Sequence, residues 1–139
     1  MDLSYIKNLF SAGYQTEGDS QAYRELMVMI LARATDTDCY AHPAEIQAVQ
    51  RVIKQHLGQD ISEEAITNVS HSELYTSAPL EKYITRLAPR LSQQQRRDSI
   101  AALIEVLRSD GQVAAAETEY FNLVAYSLRL TYADVAGLS

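Results

Sequence analysis

Apolar residues recur along the chain at three- and four-residue spacing, the period of a helix with one buried face. "DLSYIKNLFSAG" opens on a capping-type Asp2, places Ile6, Leu9 and Phe10 on one side, and meets a stop at Gly13. "GDSQAYRELMVMILARATD" offers Asp19 or Ser20 as N-cap, and its Leu26, Met27, Ile30 and Leu31 form a stripe wide enough for a central helix. In "HPAEIQAVQRVIKQHLG", Pro43 suits the first helical position, Ile46, Val49, Val52, Ile53 and Leu57 share a face, and Gly58 terminates. A shorter helix is expected from Ser62, and another from about Pro79 to Ala88, ended by Pro89. Ser92-x-x-Gln95 reads as a capping box ahead of Ile100, Leu103, Ile104 and Leu107. Phe121, Val124 and Leu128 mark a further helix, and Thr131-x-x-Asp134 a last capped turn. No stretch alternates as a strand would. The pattern predicts an all-α single domain, residues 1–139, of seven or eight helices.

The pattern also repeats with an offset of 72 residues. Val28 matches Ile100, Leu31 matches Leu103, Ala34 matches Val106, Val49 matches Phe121 and Val52 matches Val124. Between the apolar halves, Asp38 precedes Glu45 by seven residues, as Asp110 precedes Glu117. Each copy reads as helix, Asp-containing turn, and a second helix with Glu near its start. Local structure explains each acid singly. A turn favours Asp, and Glu at N3 is favoured by the helix dipole by roughly 0.3–1 kcal/mol. That reading puts His42 at N-cap, Pro43 at N1 and Glu45 at N3 in the first copy, with Ala114 at N-cap and Glu117 at N3 in the second. It accounts less well for the same pairing occurring twice.

The two turns read "DCYAHPAE" (38–45) and "DGQVAAAE" (110–117). This Asp-Gly-x-apolar-x-x-x-Glu pattern, twice in a helical domain, resembles the TerB-like tellurite-resistance family over about residues 20–130. Gly111 and Val113 follow the pattern; in the first copy Cys39 stands at the Gly position and Ala41 at the apolar one. The resemblance implies a non-enzymatic stress-response or signalling module that works in complexes near the membrane. It also implies Asp38, Glu45, Asp110 and Glu117 as ligands of a divalent cation.

Composition narrows the chemistry. The net charge is −6, which argues against nucleic acid as a partner. Hard cations such as calcium or magnesium suit a set of carboxylates. Zinc is disfavoured, because Cys39 and His42 lack CxxC or paired-His spacing. An EF-hand is excluded: a loop begun at Asp36 has Ala41 where Gly is required and Gln47 where the bidentate Glu belongs. No Gly-rich phosphate loop, HExxH or GxSxG occurs, so a small hydrolase ranks below a binding module. A metal-free interaction scaffold is the closer alternative, with Tyr75, Tyr83 and Tyr120 as contact residues if exposed, or as core packing if not.

Five basic residues, Lys82, Arg86, Arg90, Arg96 and Arg97, fall in a stretch without an acid. They suggest docking to an anionic partner or membrane surface, or a solvated helix face. The lone Cys39 suits a reducing compartment, and the opening residues do not read as a signal peptide, so the expected location is cytoplasmic.

Overall fold

A computed structural model describes residues 3–7, 20–36, 44–108 and 115–136. Among these residues every regular element is a helix, with no strand. Residues 4–7 are helical (α1), followed by α2 (Ser20–Arg33), α3 (Ile46–Leu57), α4 (Glu63–Ser70), α5 (Leu74–Ser77), α6 (Leu80–Leu87), a 3₁₀ turn (Ala88–Arg90), α7 (Gln93–Arg108), α8 (Ala115–Ser127) and α9 (Tyr132–Ala136).

The centre of the molecule is α2, every residue of which from Glu25 to Ala32 is buried. A helix apolar on all sides must be packed on all sides, and α3, α4, α6 and α7 lie against it. The one acid in that run, Glu25, accepts the Ile6 amide at 3.3 Å and the Gln21 side-chain amide at 2.7 Å, so it ties α1 to the core. The hairpins α2–α3 and α7–α8 reproduce the 72-residue repeat as burial. Val28 and Ile100, Leu31 and Leu103, Ala34 and Val106, and Val52 and Val124 are buried in pairs; Val49 is buried where Phe121 is half-buried.

Local signals set most helix ends as expected. Ser62 Oγ accepts the Ala65 amide at 3.0 Å, and Ser92 and Gln95 form a reciprocal box at 2.9 and 3.1 Å. Thr131 and Asp134 form another at 2.8 and 3.2 Å. Gly58 closes α3 in the left-handed region at φ 66°, returning its amide to Lys54. Three boundaries differ. The helix expected from Ser62 breaks at residues 71–73, and α5 starts anew with Ser72 Oγ accepting the Leu74 amide. The chain turns on past Leu87 as a 3₁₀ turn containing Pro89, whose missing N–H costs nothing there. In the N-terminal stretch the described residues are 3–7; Asp2, the face residues Leu9 and Phe10, Gly13 and the alternative cap Asp19 lie outside the described residues. The other candidate cap, Ser20, is instead the first helical residue of α2.

Candidate functional site

The first acidic turn leaves α2 at Arg33 and re-enters the described structure at Ala44. There the Ala44 amide donates to the Ala34 carbonyl at 2.9 Å, closing the mouth of the loop. This cross-link holds Glu45 in extended backbone (φ −73°, ψ 139°), so α3 starts at Ile46. The expected numbering is therefore corrected: Glu45 occupies the N-cap position, not N3. Its side chain is exposed and makes no capping hydrogen bond. The local explanation for this acid is thereby removed, and its carboxylate faces solvent at the rim of the turn.

The second turn enters from Arg108 and leaves at Ala115, with Glu117 as the third residue of α8, the N3 position expected. Asp38 and Asp110 lie outside the described residues, as do Cys39, His42 and Pro43. Among the described residues, no three His, Cys, Asp or Glu side chains gather in a group suited to a metal ion. Polar contacts among the described residues include two that relate the hairpins. The Tyr120 hydroxyl, on the second turn of α8, donates to the Ile30 carbonyl, on the last turn of α2, at 2.5 Å. His56 and Glu105 meet at 3.3 Å, setting the last turn of α7 beside the last turn of α3.

Beside the first turn lies a charged cluster that the sequence did not announce. Asp36 is 4% exposed, and its carboxylate accepts from Arg33 Nη1 at 3.1 Å. The same nitrogen donates to the Ser70 carbonyl at 2.7 Å, capping the end of α4, while the guanidinium lies 4.3 Å over the Tyr75 ring. Tyr75 meets Tyr83 edge-on at 6.4 Å, and the Tyr83 hydroxyl donates to Leu74 at 2.6 Å. A groove of about 410 Å³ opens here, with Arg33, Tyr75, Pro79, Leu80, Glu81 and Leu123 among its walls.

Of the tyrosines considered as contact residues, Tyr83 and Tyr120 pack into the core and Tyr75 lines the groove. Tyr83 and Tyr120 are buried and Tyr75 is half-buried. The basic stretch is likewise dispersed. Arg90 is buried, so it cannot dock a partner. Arg96 Nη1 donates to the Leu128 and Arg129 carbonyls at 3.1 and 3.4 Å, and Arg97 pairs with Asp134 at 2.6 Å. Lys82 and Arg86 remain exposed. The Arg97 guanidinium beside Asp134 holds that carboxyl well below the usual range, helped by the Thr131 amide and hydroxyl. Burial, with Asp98 nearby, pushes the Tyr23 phenol up to about 12.

The family model for tellurite resistance protein TerB matches residues 24–139. The chain belongs to the TerB family. The match takes in both acidic turns, the groove and every described helix after α1 except the start of α2. No curated protein and no solved structure matches the chain. Among the described residues of this TerB-family chain, no helix is long and apolar enough to cross a membrane.

Proposed function

We propose that this TerB-family chain is a non-enzymatic, cytoplasmic stress-response or signalling module. Its two acidic turns hold a divalent cation through Asp38, Glu45, Asp110 and Glu117, and it acts by docking partner proteins, including ones gathered at a membrane. The observation that carries the reading is Glu45: its carboxylate stands exposed at the end of a cross-linked turn and does no capping. The Tyr120–Ile30 bond supports it further, because it couples the start of the second hairpin's trailing helix to the end of the first hairpin's leading helix. The oxygen-only donor set favours calcium or magnesium over zinc. A cation at these helix starts meets the positive end of each helix dipole, so the carboxylates must supply the binding energy.

Calcium and magnesium titration followed by thermal melting tests this. Ligand at a hundredfold excess over Kd stabilises by about 2.7 kcal/mol. The expected result is a midpoint that rises with cation and stays still in the Glu45→Gln, Glu117→Gln double variant. An unchanged rise in the double variant would remove these acids as ligands.

A further inference from the structure

The exposed large apolar side chains among the described residues are Leu123, 38% exposed, and Tyr126, 84% exposed. Both are on α8, three residues apart, so they share one face; Glu119, four residues before Leu123, shares it too. Scattered surface apolar residues need no explanation, but a pair continuous with a groove does. Leu123 forms one wall of the 410 Å³ groove, whose other walls include Pro79, Leu80 and Tyr75.

Charge decides what such a groove takes. Arg33 is the one cation among the lining residues, and buried Asp36 answers its charge at 3.1 Å. Glu81 is half-exposed on the α6 side and Glu119 exposed on the α8 side. Neither forms an ion pair among the described residues. The positive end of α6 offsets part of Glu81, leaving a rim of about −1.5 elementary charges. At about 100° per residue, Lys82 and Arg86 fall about 100° and 140° beyond Glu81, away from this rim.

We propose that the groove between α5–α6 and α8 docks a basic amphipathic segment of a partner protein. Apolar side chains of the segment enter between Leu80 and Leu123, and its Lys or Arg residues meet Glu119, Glu81 and the exposed face of Tyr126. The volume accommodates two or three side chains, the scale of a helix laid into a groove by anchors at i, i+3 or i+4, and i+7.

The test uses the full chain, isotope-labelled, in EDTA, so that its outcome does not depend on the cation reading. The probe is an 18-residue helical peptide of leucine and lysine, with a leucine–glutamate counterpart. The lysine peptide is expected to shift resonances of residues 75–81 and 119–126. Its Kd should weaken at least tenfold in the Glu119→Lys, Tyr126→Ala variant, both positions being exposed enough to leave the fold intact. Glu64→Lys, an exposed acid on α4, should change it less than twofold. Equal weakening by Glu64→Lys, shifts centred elsewhere, or equal binding of the glutamate peptide would overturn the proposal. So would a dimer of the chain alone in sedimentation equilibrium that Tyr126→Ala dissolves, since the occupant would then be a second copy.

Discussion

The two hairpins are fastened by the same device, applied 72 residues apart. Arg24, in the first turns of α2, donates to the Leu57 carbonyl at the end of α3 at 3.2 Å. Arg96, its counterpart in α7, donates to Leu128 and Arg129 at the end of α8. Each arginine clasps its own hairpin across the open end, satisfying carbonyls that a helix leaves without partners. Just past each clasp the backbone enters the left-handed region, at Gly58 (φ 66°) in the first hairpin and at Arg129 (φ 61°) in the second. The Leu130 amide then returns to Ala125 at 3.1 Å, as in a Schellman turn. The frame is thus repeated, while its cost differs: glycine enters that region freely and arginine does not. Among the described residues, other polar contacts differ between the hairpins. Arg33 and Asp36 lock the first hairpin to α4, whereas Arg97 and Asp134 lock the second to α9. Shared parts hold the fold, and unshared parts give each hairpin its own neighbours.

The equivalence is most severely tested in the core. Leu31→Ala and Leu103→Ala are each expected to cost about 2–5 kcal/mol in urea unfolding, because both side chains are wholly buried. Values agreeing to within about 1 kcal/mol would support matched packing, and a large gap would break it. Removing either clasp, Arg24→Ala or Arg96→Ala, should cost about 1.5–3 kcal/mol, the scale of hydrogen bonding by a charged group. The terminators should respond with opposite signs. Arg129→Gly is expected to stabilise by about 0.5–1 kcal/mol, and Gly58→Ala to destabilise by a similar amount through its backbone alone, since a Cβ there meets nothing within 4 Å.

The smallest effects concern pH. Asp134 has a lowered pKa in the folded chain, so its contribution is present above the unfolded carboxyl range and is lost as pH falls below about 4. Asp134→Asn should flatten the acid limb of stability measured against pH, without a matching change in the first hairpin. Tyr23 works in the opposite direction: its raised pKa makes stability fall between about pH 10 and pH 12, a slope that Tyr23→Phe should remove.

What could be read from the sequence was local. Ser62, Ser92 with Gln95, and Thr131 with Asp134 act on amides three residues away, so their spacing alone announced them. The central position of α2 followed from the wide apolar stripe of Leu26, Met27, Ile30 and Leu31. Arg96 and Arg97 read only as members of a basic stretch, because their partners lie 32 and 37 residues away in sequence. A basic stretch looks like a surface patch until the fold brings carbonyls to it. The signal that could have found the clasp was present, since Arg24 and Arg96 obey the same offset as the apolar pairs. Glu45 was placed one turn too deep because the cross-link from Ala44 to Ala34 holds the chain out of the helix there.

The placement of charge has a kinetic consequence. Arg24, Arg33, Arg90, Arg96 and Arg97 are all half-buried or buried, while Glu45, Glu63, Glu64, Glu73 and Glu119 stand in water. Glu25, Asp36, Glu81, Asp98 and Asp134 are half-buried or buried too, so the inward charges cancel and the long-range field is that of the net −6. Cationic visitors are drawn in and turned before contact, and phosphate-rich ones are slowed. Added electrolyte weakens both effects within roughly a Debye length, about 8 Å at physiological ionic strength.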